Sequence, residues 1–178
     1  ARYHYMTGGR VNVPMVVRTK FATRPGGGPS HSSCNHGAFI HFPGLKIIMP
    51  TTPADAKGLL LSAIRDPNPV LCFESHYLYG VRGPVPEGEY LVPIGKAVVR
   101  RAGKDLTIVT CGGMVLKADA AADLLKQKGI DIEIVDLRSL APLDKETILG
   151  SVAKTRRAIV LDEGPMIGGL SAEIAAMI

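Results

Sequence analysis

From Leu106 onward, short β-branched and aliphatic runs alternate with amphipathic segments, and this alternation restricts the possible folds more than any other feature of the chain. LeuThrIleValThr (106–110), IleGluIleVal (132–135) and AlaIleValLeu (158–161) read as buried strands. Between and after them lie a helix from Met114 to Lys128 capped by Gly129, a helix opened by Asp144, and a helix from about Gly169. Parallel neighbours need a helical crossover, so this order predicts half of a doubly wound parallel α/β domain.

The first part of the chain carries the same grammar less regularly. ValProMetValVal (13–17) reads as a strand, followed by a Gly- and Pro-rich loop that runs to Ser30. Residues 30–42 place Cys34, Ala38 and Phe42 on one face of an expected helix, with Ser30 or Ser32 as its cap and His31 at its start. LysIleIleMetPro (46–50) reads as a strand. Thr52, Pro53 and Asp55 then open a helix to about Arg65 whose expected buried stripe is Leu59, Leu60, Ala63 and Ile64. An Asp-Pro-Asn-Pro turn (66–69) ends it, and ValLeuCysPheGlu (70–74) completes a βαβ unit. The weaker pattern beyond, rich in Pro, Gly and charge, divides the chain into one domain over 1–80, a linker over 81–104 and a second domain over 105–178. The opening at Ala1 and the helical pattern still running at Ile178 read as a piece of a longer polypeptide.

Composition narrows the function classes. No apolar stretch approaches the ~18 residues that cross a bilayer, and three scattered cysteines make no disulfide framework, so a non-membrane protein of a reducing compartment is expected. Residues 1–54 contain no acid, but they hold Arg2, Arg10, Arg18, Lys20, Arg24, Lys46 and four of the five histidines, an arrangement that suits anionic ligands. Dense Lys/Arg clusters and aromatic platforms are lacking, so no nucleic-acid partner is expected.

The residues themselves suggest few chemistries. Cys111-Gly112-Gly113, Arg138-Ser139 and Glu163-Gly164 follow strands and should share the C-terminal rim where open parallel sheets bind ligands, but none makes a dinucleotide fingerprint. His31, His36 and His41 recur every five residues, about 140° apart on a helix, so with Cys34 they fan out instead of converging on a metal. His31 stands apart, after the glycine loop within the acid-free segment, where an imidazole can give or take a proton near neutrality. Capping or packing accounts for it equally well. Asp66 and Asn68, with the carbonyls of Ala63 and Ile64, offer several oxygens to a hard cation, though helix termination alone would explain that turn.

Several runs together carry a resemblance. TyrMetThrGlyGly (5–9), His31-Ser32, ProGlyLeuLys (43–46), AspAlaLysGlyLeu (55–59), AlaIleArgAspProAsnPro (63–69) and AspLeuArgSerLeuAlaProLeuAsp (136–144) resemble the beta subunit of thiamine-diphosphate-dependent 2-oxo acid dehydrogenases of the pyruvate, branched-chain and acetoin types. The resemblance runs in order over essentially the whole chain. It implies two α/β domains of the transketolase-like type, both incomplete here: the C-terminal part of a pyrimidine-binding-type domain and a truncated transketolase C-terminal-like domain. It also implies that His31 is the active-site histidine assisting acyl transfer to a lipoyl group, and that Ala63, Ile64, Asp66 and Asn68 form a potassium site. The implied cofactor is thiamine diphosphate, shared with an alpha subunit that holds the diphosphate and its magnesium in an alpha2-beta2 heterotetramer. A lipoyl-bearing acyltransferase core and a small 2-oxo acid complete the implied partners, in the bacterial cytoplasm or the mitochondrial matrix.

Departures accompany the matches. The family usually carries Gln after His-Ser and a large aromatic further on, where this chain has Ser33 and Ala38. The glutamate that activates the aminopyrimidine falls outside the chain, so the chain is expected to be inactive alone. Two other functions remain open at this point: a transketolase-like or deoxyxylulose-phosphate-synthase-like ketol transferase, and a non-catalytic fragment that dimerises or binds partners.

Overall fold

The computed structural model describes residues 1–21 and 26–178; part of the glycine-rich loop expected before Ser30 therefore lies outside the described residues. The chain runs α1 (Tyr3–Met6), β1 (Val16–Phe21), α2 (Gly28–His31), α3 (His36–Ile40), β2 (Lys46–Ile48), α4 (Pro53–Arg65) and β3 (Val70–Ser75). After a 3-10 turn at His76–Leu78 come β4 (Val98–Arg101), β5 (Leu106–Thr110), α5 (Met114–Lys126), β6 (Ile132–Asp136), β7 (Ser139–Ala141), α6 (Lys145–Thr155), β8 (Ala158–Leu161) and α7 (Leu170–Met177).

Two four-stranded sheets result, ordered β1-β3-β2-β7 and β4-β6-β5-β8. The strands read from sequence pair in parallel within each sheet, as the helical crossovers require. Each sheet also has one antiparallel edge, β7 on β2 and β4 on β6, so the fold is mainly and not wholly parallel. β7 comes from the second half of the chain yet completes the first sheet, pairing Ile47 with Ala141 and Ile48 with Ser139.

Strand alternation sorts the core into three. Ile47, Leu71 and Phe73 of the first sheet share one cluster with Val109, Val135, Leu140, Ile148, Leu170 and Ile174 of the second half. The alternate residues Ile48, Val70 and Cys72 pack under α4 with Leu59 and Ala63. Ile108, Ile132 and Ile134 pack under α5 with Ala118 and Ala122. Both faces of the central strands are thus buried, which is why they read as continuous apolar runs.

Local chemistry sets the helix ends. Thr52 accepts a hydrogen bond from the Asp55 amide at the start of α4, and Asp144 accepts one from the Thr147 amide at the start of α6, as their capping positions predict. The α4 stripe differs from expectation: Asp55, Gly58, Leu59 and Ala63 are buried, while Ile64 is 60% exposed. Gly58 is buried because residues 86–92 lie along α4, where a Cβ would stand 2.5 Å from Val92 Cγ2. Ser62 donates to the Val92 carbonyl at 2.6 Å and the Tyr90 hydroxyl to that of Ala54 at 2.7 Å, so this connecting stretch is strapped to the first half. The first strand starts at Val16, later than expected, because Pro14 has no N–H for a ladder.

The helix expected over 30–42 is two short helices broken at residues 32–35. Ser32, Ser33 and Asn35 have short polar side chains that compete with helical hydrogen bonding. Cys34 is buried while Ala38 and Phe42 are exposed, so the expected apolar stripe does not form. His31 closes α2 and does not open a helix.

Candidate functional site

At the rim beyond the second sheet, the residues after β5 are covered. Cys111, Gly112 and Gly113 are buried against the first half. A Cβ at Gly112 would stand 2.9 Å from Met49 Sδ, and one at Gly113 would stand 2.7 Å from Ser75 Oγ. Leu137 and Ser139 are buried as well, while Arg138, Glu163 and Gly164 are half-buried. The close approach needs glycine, and this explains both residues without any phosphate.

His31 is exposed at the end of α2, immediately before the break. The residues after it turn inward onto the loop that follows β8. His36 is fully buried, with Nε2 3.1 Å from Asp162 Oδ1, and Cys34 Sγ donates to Glu163 Oε2 at 3.5 Å. Phe21 and Phe73 meet the His36 ring edge to face at centroid distances of 5.6 and 6.1 Å. His31, Cys34, His36 and His41 do not assemble as ligands: among the described residues no group of three or more His, Cys, Asp or Glu side chains could hold a metal ion.

The turn after α4 gathers its side chains around Asp66. Its carboxylate pairs with the Lys46 ammonium and accepts from the Asn68 amide N–H at 2.9 Å and from Asn68 Nδ2 at 3.1 Å. Burial pushes the Asp66 carboxyl up, but Lys46 and Asn68 outweigh it and hold it below the usual range. The Ala63 carbonyl accepts from the Asp66 N–H at 3.2 Å. A cation entering here competes with an ammonium already in place.

Sequence reading missed the densest charge network altogether. Arg100 reaches from β4 to Asp55 at the start of α4, and its Nε lies 2.9 Å from Asp136 Oδ2 at the end of β6. Arg138 Nη1 adds a second contact to Asp55 at 3.2 Å. Asp136 is fully buried, and burial raises its carboxyl despite Arg100 and Thr51. Burial also raises Asp55, but there Thr52, Arg100 and Arg138 prevail and the net shift is downward. The four charges join three separate elements, so no local spacing signals them.

The chemistry open to the remaining groups is limited. Every buried carboxylate described above is engaged, and Glu133 and Asp144 are likewise held, by Lys154 and by Thr147. Cys72 is pushed up to about 12 by burial, and Cys111 is raised well above the ordinary range by the same cause, so neither is a nucleophile at neutral pH. His31 is exposed, three and five residues before Cys34 and His36, which reach the second half of the chain.

Two family models match the chain. Residues 1–81 match the transketolase pyrimidine binding domain and residues 95–178 the transketolase C-terminal domain. The chain is 46% identical over 183 residues to the pyruvate dehydrogenase E1 component subunit beta of Bacillus subtilis, aligning with all of this chain and 55% of that protein. It is 45% identical over 178 residues to the acetoin:2,6-dichlorophenolindophenol oxidoreductase subunit beta of Cupriavidus necator, covering 53% of it, and 43% identical over 182 residues to a mitochondrial pyruvate dehydrogenase E1 beta of Arabidopsis thaliana, covering 50%. The chain thus spans about half the length of the curated relatives it matches. A solved structure described as a split gene transketolase, inactive beta4 tetramer, superposes with a TM-score of 0.79 at 26% identity, over 99% of this chain and 58% of that one. The chain belongs to the transketolase-like family, its residues divided between the pyrimidine binding and C-terminal domains, and it is similar to the beta subunits of pyruvate dehydrogenase E1 and acetoin oxidoreductase.

Proposed function

We propose that this chain serves as the beta component of a 2-oxo acid or acetoin dehydrogenase, working with an alpha subunit on thiamine diphosphate and passing an acyl group to a lipoyl-bearing acyltransferase. The observation that carries this reading is the exposed His31, five residues before a His36 that bonds to Asp162 in the second matched domain, in a chain whose relatives are named as beta subunits. The bound cofactor supplies the electron sink for decarboxylation. In this reading His31 holds a proton at its imidazole and delivers it to the sulfur released as the lipoyl dithiolane opens. The acid-free stretch around it favours an anionic substrate.

The residues present suit only the acyl-transfer side of such a site. Asp55, Asp136, Asp162 and Glu163 are committed to Arg100, Arg138, His36 and Cys34, so none is poised to take the proton of an aminopyrimidine. Among the described residues no group of three or more His, Cys, Asp or Glu side chains could hold a diphosphate-bound magnesium, and in this reading the alpha subunit takes that task. In this reading the 178-residue chain binds the cofactor weakly by itself, and calorimetry with and without an alpha subunit tests it. Micromolar binding by the chain alone would refute it.

The potassium site belongs to the same reading. Asp66, Asn68 and the carbonyls of Ala63 and Ile64 would hold the ion once Lys46 swings away from Asp66. A second reading, a self-associating module without catalysis, draws support from the beta4 assembly named for the superposed transketolase. Sedimentation with and without an alpha subunit separates the two, since the enzyme reading requires the mixed assembly to form.

A further inference from the structure

The turn that carries His31 is too short and too irregular to hold its own position. α2 has four residues, α3 has five, and residues 32–35 between them form no regular element. Isolated helices of that length are unstable in water, so the position of the turn must come from tertiary attachment.

That attachment comes from the second half of the chain. His36 Nε2 lies 3.1 and 3.2 Å from the two oxygens of Asp162, Cys34 Sγ donates to Glu163, and a Cβ at Gly37 would stand 3.3 Å from Gly169 Cα. Gly164 makes room for the pair: a Cβ there would lie 2.7 Å from Asp162 Oδ2 and 3.1 Å from His36 Nε2.

Packing alone does not account for an imidazole at this position. The ring packs against Phe21 and Phe73, where an apolar side chain would pack without desolvating any polar atom. His36 Nδ1 is buried with no hydrogen-bond partner among the described residues, a cost that an apolar residue would avoid. What the imidazole adds is a directional bond from Nε2 to one carboxylate, and such bonds fix geometry more than they add stability.

We propose that His36 is a positioning residue: its bond to Asp162 latches the 32–35 turn, and with it His31, onto the loop that follows β8. The functional consequence rests on the assignment of His31 above; the latch itself does not. Disengaging His36 from Asp162 frees the turn and lets His31 sample orientations unsuited to proton delivery.

The test uses the 178-residue chain and three variants, His36→Leu, His36→Gln and Asp162→Asn. Leu fills the ring's space without a donor, whereas the Gln amide can reach Asp162 as Nε2 does. Amide hydrogen exchange of residues 31–35 is read against that of β5, and the His31 ring resonance is followed by NMR. In His36→Leu, exchange across the turn rises by about tenfold or more relative to β5 and the His31 resonance moves, with Gln restoring both. If the Leu variant does not fold, Gln against Asp162→Asn carries the same comparison: Asn removes the charge on the acceptor and loosens the turn, while Gln stays close to the parent. Unchanged exchange and an unmoved His31 resonance in His36→Leu, or a Gln variant indistinguishable from Leu, would overturn the latch. Failure of the His31 assignment would show separately, as full lipoyl acylation by His31→Ala in the assembled enzyme with the exchange pattern intact.

Discussion

Replacing Arg100 tests how the two halves are joined. Arg100→Met keeps much of the aliphatic stem but removes the charge that Asp136 and Asp55 share. Asp136 is fully buried and is then left with the Arg138 backbone N–H, 3.2 Å from Oδ1, and the neighbouring Thr51, neither of them charged, while Asp55 retains the Arg138 guanidinium and Thr52. Breaking a buried pair by deleting one partner costs about 3–5 kcal/mol, and the retained Arg138 contact places the expectation near the lower end, about 3 kcal/mol. For a chain of this size that corresponds to a fall of roughly 6–12 °C in melting temperature. The loss should depend on pH. A carboxyl raised by folding, as at Asp136, contributes stability that is fully present below its unfolded value and lost as pH rises through its folded one. Without Arg100 that rise becomes larger, and Asp55 loses much of the support that lowers it, so the variant is penalised more at pH 7 than at pH 4.5. Urea unfolding of parent and variant at both pH values measures this directly. A cost below about 1 kcal/mol at pH 7, or an equal cost at the two pH values, would show that the network is not a buried clamp.

Other outcomes follow from single positions. Gly103→Ala would set a Cβ 2.2 Å from the Ile132 carbonyl carbon, and because that neighbour is backbone the variant should lose about 2 kcal/mol or more in urea titration. Thr52→Ala removes the α4 cap and should cost about 1 kcal/mol by the same assay. Asp66 is held low in the folded state, so its contribution is present above the unfolded value and fades as pH falls through the folded one; Asp66→Asn should remove that part of the acid dependence. Potassium should raise the melting temperature more than sodium in the parent and not in Asp66→Ala, and equal shifts with both ions would reject the potassium assignment. Cys72 and Cys111 should resist iodoacetamide at pH 8 until the chain unfolds.

Most elements were legible because their signals are local. The strands at 106–110 and 158–161 stand where β-branched runs placed them, and Thr52 and Asp144 cap the helices that they were expected to cap. What escaped depends on partners distant in sequence. β7 is three residues long and exists by pairing with β2, nearly a hundred residues earlier. The Arg100 network joins α4, β4 and the end of β6, and the buried His36 meets Asp162, 126 positions away. The single helix expected over 30–42 failed for a different reason. Its apolar spacing was consistent with helix, but Ser32, Ser33 and Asn35 favour a break, and tertiary attachment decided the outcome. His31 itself was singled out by position and by resemblance, and the structure adds its exposure and the inward turn that follows it.

The assigned role of His31 is tested most directly by lipoyl acylation in the complex with an alpha subunit, comparing the parent with His31→Ala and with His41→Ala as an exposed control. Loss of a proton donor lowers the rate by about 10² to 10⁴, whereas loss of a surface contact changes stability by at most about 1 kcal/mol. The account predicts that His31→Ala folds and assembles normally but acylates lipoyl at a hundredth of the parent rate or less, while His41→Ala stays within a few-fold. His31→Ala acylating at the parent rate would contradict it.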